Sequence, residues 1–184
     1  MDFYRGDDRG PGDMDLRTIG FAAKPPAMPM NGDQAREFLA GIFENYAVND
    51  FAFKWRGQTP GFLISTAMVQ GGGFQGKKYF YKLTIPDNEL TLQLIDNWGN
   101  RLNKFPVKEG PGKKSYFLLF NNGSYEKADM IAFCHGKVST KEATFLTTIP
   151  TRYIVGYRGG FNTTKEKVPF APFFGPHRPR IYKK

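Results

Sequence analysis

The sequence predicts an α+β fold built mostly from short strands with one or two helices, and three observations predict it. Glycine (21), proline (13) and phenylalanine (18) are abundant in a chain of 184 residues, a composition suited to tight turns and an aromatic core rather than a helical bundle. Short aromatic and β-branched runs recur between turn residues along most of the chain, as strands require. Only one segment shows clear helical periodicity: Ala35, Phe38, Leu39, Ile42, Phe43 and Tyr46 share one face. With 40% hydrophobic and 23% charged residues, the chain reads as an ordinary globular domain. Its length suffices to bury roughly two-thirds of its unfolded surface.

Taken in order, residues 1–30 are rich in Gly, Pro and Asp apart from the stretch from Leu16 to Phe21, and are expected to be extended structure and loop. Asn31 with Gln34, or Asp33, caps the single amphipathic helix. Strands follow at 51–55 and 61–65, around a turn at 57–60, and at 79–85, which Pro86 stops. Residues 90–95 fit either a strand or a helical turn. A Lys/Gly/Pro loop at 103–114 leads to a strand at 116–120 and a turn at 121–124. Residues 130–134, 143–146 and 153–157 supply three more strands, and no internal repeat is visible. From Asn162 the chain turns basic and proline-rich with interleaved aromatics, among them Phe170, Phe173, Phe174 and Tyr182. Such a tail is a strap over the domain or an arm for a polyanion; the strap is favoured because the phenylalanines need burial.

A net charge of +9 favours polyanionic partners such as nucleic acid, an anionic membrane surface or an acidic protein, and it would help hold a pyrophosphate. Solubility alone is the plainer explanation. The single cysteine, Cys134, excludes an internal disulfide framework and a multi-cysteine metal site. His135 and His177 are the only histidines and lack metal-ligand spacing. No apolar run approaches the roughly 20 residues of a membrane span, and no secretory signal is expected. The cytoplasm is the expected place of action, whether for an intracellular protein or for a domain delivered there.

Three separated segments carry the functional signal. The first is Tyr4-Arg5-Gly6-Asp7-Asp8-Arg9 with Pro11 and Gly20-Phe21; the second is Phe62-Leu63-Ile64-Ser65-Thr66. The third is Thr140-Lys141-Glu142-Ala143, with Ile149-Pro150 and Tyr153-Ile154-Val155-Gly156 after it. Arg, Ser-Thr and Glu in this order resemble the NAD-dependent mono-ADP-ribosyltransferase toxins of the cholera and pertussis toxin class. The resemblance covers residues 4–21, 62–66 and 140–157, while 67–135 adds no diagnostic residue. It implies a split β-sheet sandwich with few helices, formed by residues 1–184 as one domain with 162–184 as its C-terminal strap.

The same resemblance assigns expected roles, each beside a plainer alternative. Arg5 would brace the NAD pocket and contact the dinucleotide, where otherwise it is a surface arginine paired to Asp7 or Asp8. Arg9 would help with the phosphates. Ser65 would orient the catalytic glutamate, and with Thr66 would line the nicotinamide site, where otherwise the pair merely ends a strand. The glycine-rich run at 70–76 is a mobile connection by itself; in the family a loop there closes over NAD, which makes Phe74 and Lys77 cofactor candidates. Glu142 would bind the ribose hydroxyls and face the positive charge that builds as the nicotinamide–ribose bond breaks. Without the resemblance it is a surface charge.

The departures narrow the expectation. Family members usually read Ser-Thr-Ser, where this chain has Ala67, and members of the cholera type often carry a histidine between the first two motifs, where residues 22–64 have none. Arginine-modifying relatives usually have Glu two residues before the catalytic one; Thr140 stands there, which argues against arginine as acceptor. Phe133 and Lys137 would lie near the acceptor-recognition loop, stacking on a base and holding a phosphate, where a core Phe and a solvated Lys are the alternatives. The expected activity is therefore transfer of ADP-ribose from NAD to a macromolecule, with a nucleic-acid base (RNA or DNA) preferred and a non-arginine protein side chain second. A toxin of this kind also implies a neutralising immunity or antitoxin protein. A basic nucleic-acid-binding module without catalysis is the alternative from another class; it would not need Arg5, Ser65 and Glu142 together.

Overall fold

The computed structural model describes residues 1–22, 64–68, 77–96, 101–104, 116–121, 128–135, 142–145, 147–159 and 169–175. The expected helix around Ala35 to Tyr46 and the expected strand at 51–55 lie outside them. The described chain runs β1 (Asp2–Asp7), α1 (Met14–Thr18), β2 (Gly20–Phe21), β3 (Ile64–Ala67), β4 (Tyr79–Thr84), β5 (Thr91–Asp96) and β6 (Arg101–Leu102). It continues with β7 (Tyr116–Asn121), β8 (Ala128–His135), β9 (Glu142–Phe145), β10 (Ile149–Pro150), a 3-10 turn (Thr151–Tyr153), β11 (Ile154–Gly159) and β12 (Ala171–Pro172). The fold is thus a mostly antiparallel β structure with very little helix among the described residues. The segment open to either interpretation, 90–95, is strand from Thr91 onward.

Ten of these strands form one sheet in the order β12-β11-β4-β1-β3-β9-β8-β7-β5-β6, and β10 and β2 form a separate pair. Third in that order, β4 pairs with β1 on one side and β11 on the other. Its adjacent residues Phe80 and Tyr81 are both buried, as expected of a strand covered on both faces. Tyr81 packs against Phe21 and Phe173, at 5.4 and 6.0 Å between ring centroids, while Phe80 stacks on Tyr4 at 6.0 Å on the other face.

The sheet is not flat. Phe3 of β1 meets Phe120 of β7 edge-on at 6.1 Å and Phe145 of β9 at 5.1 Å. In the strand order β1 and β7 are four places apart, about 19 Å in a flat sheet. The sheet must therefore fold back so that its two halves share one core, in which Phe3, Leu118, Phe145 and Leu83 are fully buried. The joint between the halves is thin: β1 meets β3 through the single opposed pair Tyr4 and Ala67, against six opposed pairs along β1 and β4. A bend is cheapest where the fewest ladder hydrogen bonds oppose it.

Residues 10–22 depart from the loop expected there. Asp13 caps α1 by accepting a 3.0 Å hydrogen bond from the Leu16 N–H, a cap worth about 1 kcal/mol, and Leu16 is fully buried. Burial of one apolar residue and one cap hold a helix too short to register as a periodic pattern. Immediately after it Gly20 adopts φ +102° and enters β2, where Gly20 stands opposite Pro150 and Phe21 opposite Ile149. The first and third motif segments are thereby hydrogen-bonded to each other.

The tail returns to the sheet. β12 pairs with β11, Gly156 opposite Pro172, and Phe173 is buried at 2% exposure. Glycine at 156 permits this approach, because a methyl group there would lie 2.9 Å from the Phe170 Cβ and 3.1 Å from the Ala171 carbonyl oxygen. Among the described residues no helix is long and apolar enough to cross a membrane.

Candidate functional site

The arginines of the first motif are organised by one carboxylate. β1 ends at Asp7, whose Oδ2 accepts from Arg5 Nε at 3.3 Å and Arg5 Nη2 at 3.2 Å. Arg9 donates to the same group through Nε (2.9 Å), Nη2 (3.0 Å) and its backbone N–H (3.0 Å). The tight return of the chain after β1 makes this sharing feasible, and the Tyr81 hydroxyl fixes it by donating to the Arg9 carbonyl at 2.6 Å. Both guanidinium groups lie over the ring of Phe21, 5.2 and 5.5 Å from its centroid, a cation–π arrangement that also limits their motion. The alternative pairing of Arg5 with Asp8 is not used: Asp8 instead accepts from Lys77 Nζ at 2.7 Å and from the Lys78 N–H at 3.2 Å.

Electrostatics follow from this geometry. Burial works against ionisation of Asp7, but the hydrogen bonds from Arg9 and the charges of Arg5 and Arg9 outweigh it and hold its pKa at about 2. Burial lowers the pKa of Arg5, opposed by Asp7, and the Asp7 hydrogen bond raises that of Arg9. Asp13 and Asp15 also raise the pKa of Arg9 through their charges. Because the folded-state pKa of Asp7 lies below its ordinary 3.8, its stabilising contribution is full above about pH 4 and is lost as pH falls to about 2. We expect about 2 kcal/mol to disappear across that window. Urea unfolding at pH 6 and pH 2.5 measures it; Asp7→Asn should lower stability at pH 6 by about the same amount and flatten the pH dependence. An unchanged acid slope in the variant would assign the effect to other carboxylates.

The second and third motifs meet on neighbouring strands. In the β3–β9 ladder Ser65 stands opposite Thr144, Thr66 opposite Ala143 and Ala67 opposite Glu142. On the far side of β9, β8 places His135 opposite Glu142 and Phe133 opposite Thr144. Ala67 also faces Tyr4, the neighbour of Arg5. Three segments far apart in sequence therefore join at Ala67, which is itself 2% exposed; a buried junction of this kind accepts alanine where a serine would need a partner. Thr66 is fully buried and its hydroxyl donates to the Ala143 carbonyl at 2.7 Å. That bond pins the backbone beside Glu142 and commits the Thr66 hydroxyl to the protein.

Register sorts the residues further. Ser65, Ala67 and Glu142 share one alternation of the sheet with Phe133 and Tyr4, whereas Arg5, one residue past Tyr4, has the other alternation. The structure thus gathers the positions of Ser65, Glu142 and Phe133 on the three neighbouring strands β3, β9 and β8, and sets Arg5 on β1 with the other alternation, beside Arg9 and over Phe21 of β2. Lys77 is half exposed and tied to Asp8. Phe74, Lys137 and Thr140 lie outside the described residues. Cys134, next to Phe133, is buried, and burial pushes its thiol pKa far up, so it behaves as a small hydrophobe rather than a nucleophile.

The sequence offered Asp7 as a partner for Arg5, but that it also takes Arg9 was missed. The signal was the Arg-x-Asp-x-Arg spacing itself: in an extended strand residues two apart share a side, so Asp7 sits beside Arg5 and can reach a following arginine. No protein-family model matches this sequence, and neither does any curated protein.

Proposed function

We propose that the protein is an NAD-dependent mono-ADP-ribosyltransferase of toxin type, acting on a macromolecular acceptor for which a nucleic-acid base is the preferred choice. The observation that carries this reading is the junction at Ala67, where β1, β3 and β9 are consecutive neighbours and Tyr4 and Glu142 both stand opposite the same residue. A chain whose Arg, Ser-Thr and Glu segments served unrelated purposes would have no reason to bring them to one point of a ten-stranded sheet.

On this reading Glu142 faces the ribose as the bond to nicotinamide breaks, Ser65 orients it, and the Thr66 hydrogen bond to Ala143 keeps the two strands in register. Arg5, held by Asp7 and Phe21 and of the other alternation, braces the far end of the site and meets the dinucleotide's phosphates. Arg9 shares that brace, and Phe74 and Lys77 belong to the loop that closes on the cofactor. Thr140, Phe133 and Lys137 belong to the acceptor side, and the absence of a carboxylate at 140 points away from arginine. The ADP-ribosyltransferase form of the split sandwich belongs to this proposal; the folded-back sheet is what supports it.

The test is incubation with NAD labelled in its adenylate part, followed by separation of RNA, DNA and protein, beside Glu142→Gln. Label in nucleic acid, absent with the variant, is the expected result. Label in protein alone would replace the acceptor, and neither label nor released nicotinamide would remove the transferase reading.

A further inference from the structure

An aromatic shelf stands outside the site just described. Phe174 is 55% exposed and Val155 44% exposed. The Phe174 ring is held rather than loose. It packs edge-on against buried Phe173 at 5.0 Å and 81°. The Phe173 N–H donates to the Val155 carbonyl at 3.2 Å, and the Gly175 N–H closes the turn onto the Pro172 carbonyl at 3.3 Å. Arg17 reaches over from α1, its Cζ 5.6 Å from the centroids of both Phe173 and Phe174. A 3.0 Å hydrogen bond from its Nη1 to the Pro11 carbonyl orients the guanidinium. Asp15 lies two residues away on the same helix, about 200° round its axis, and so turns its charge off the shelf.

The shelf connects to the arginine cluster through touching rings: Phe174 to Phe173 (5.0 Å), Phe173 to Tyr81 (6.0 Å) and Tyr81 to Phe21 (5.4 Å), with Arg5 and Arg9 over Phe21. Beyond Gly175 the sequence adds Arg178, Arg180, Lys183 and Lys184 and no acidic residue, in a chain of net charge +9. A held, exposed ring beside an oriented guanidinium, in a chain of this charge, complements one kind of partner: a strand with unpaired bases and a phosphate backbone. A duplex hides its base faces and cannot use the ring.

We propose that the Phe174–Arg17 shelf binds single-stranded nucleic acid, one base stacking on Phe174 and an adjoining phosphate meeting Arg17, and so holds the acceptor strand outside the transfer site. This deepens the acceptor part of the reading above and rests on it. Fluorescence anisotropy of the full chain with a short labelled single strand, and with the same sequence as duplex, provides the test. The single strand should bind more tightly. Phe174→Ala should weaken it about fivefold or more, Phe174→Trp should restore binding, and Arg17→Gln should weaken it and flatten its salt dependence. Lys104→Gln, at an exposed position just past β6, the strand at the opposite end of the sheet order from β12, should do little. Circular dichroism of each variant checks the fold.

Nicotinamide release from NAD without acceptor should be unchanged in Phe174→Ala, while label transfer to the strand falls. Wild-type strand affinity in a folded Phe174→Ala protein would overturn the proposal, as would an equal loss for duplex. A sedimentation shift from dimer to monomer on Phe174→Ala would overturn it in favour of a second copy of the chain. Failure of nicotinamide release in the wild type, with strand binding still dependent on Phe174, would remove the transferase reading and leave the shelf as a strand-binding surface.

Discussion

On the proposed transferase reading, Glu142→Gln is expected to slow nicotinamide release at least about a hundredfold, equivalent to about 3 kcal/mol of transition-state stabilisation. The reasoning starts from charge. As the glycosidic bond to nicotinamide lengthens, the ribose ring gains positive character that the ground state lacks, so a fixed carboxylate opposite it lowers the barrier more than it tightens binding. Glutamine keeps the shape and a hydrogen-bonding oxygen but removes the charge, so kcat should fall while KM changes little. The backbone of β9 remains paired to β3 and β8 whatever side chain stands at its first residue. A thermal midpoint recorded beside the kinetics separates chemistry from folding. A variant with wild-type turnover would remove Glu142 from the mechanism, and a parallel loss of midpoint and rate would make it structural.

The largest effect on stability is expected from Gly20→Ala. Gly20 has φ +102°, a conformation that costs an L side chain about 1–3 kcal/mol. The added methyl would also collide with the Ile149 carbonyl oxygen and lie 2.6 Å from the Thr151 nitrogen. Those are backbone atoms of β10 and the 3-10 turn, which cannot rotate aside as a flexible side chain could. Strain and collision together should lower stability by about 3 kcal/mol or more, a midpoint drop of about 10 °C for a chain this long. The β2–β10 pair would open, loosening Phe21 beneath both arginines. Gly12→Ala is the control: nothing lies within 4 Å of the added methyl, and the change should stay within about 0.5 kcal/mol. Calorimetry on the two proteins decides; similar midpoints would show that the β2–β10 contact contributes little to the fold.

How far the sequence speaks for itself differs between elements. The aromatic and β-branched residues of β4 and β7 mark strands locally, and Pro86 marks the end of one, because strand formation there depends on neighbours within the same segment. Their order does not follow from any local signal: nothing in Asp2–Asp7 tells that it sits between residues 64–67 and 79–84. Within the candidate site, the residue types of Arg5, Ser65 and Glu142 were legible through their motif spacing, while their arrangement was not. Asp7 and Asp8 look equivalent in the sequence, yet alternation sends one to two arginines and the other to Lys77. Phe173 and Phe174 are likewise adjacent and identical in type, one buried and one exposed, because only a turn fixed by Val155 and Pro172 tells them apart.

The interleaved order of the strands also bears on how the protein is made. The half-sheet containing β1 draws on residues 2–7, 79–84, 154–159 and 171–172, so β1 waits during synthesis for partners that lie far downstream of it. Such distant pairings fold slowly, and β4 keeps an open edge until β11 has been synthesised, a liability for self-association. The junction at Ala67 likewise stays incomplete until Glu142 emerges. Any activity that depends on that junction is withheld from unfinished chains, so a cell translating this protein meets it only as a finished product.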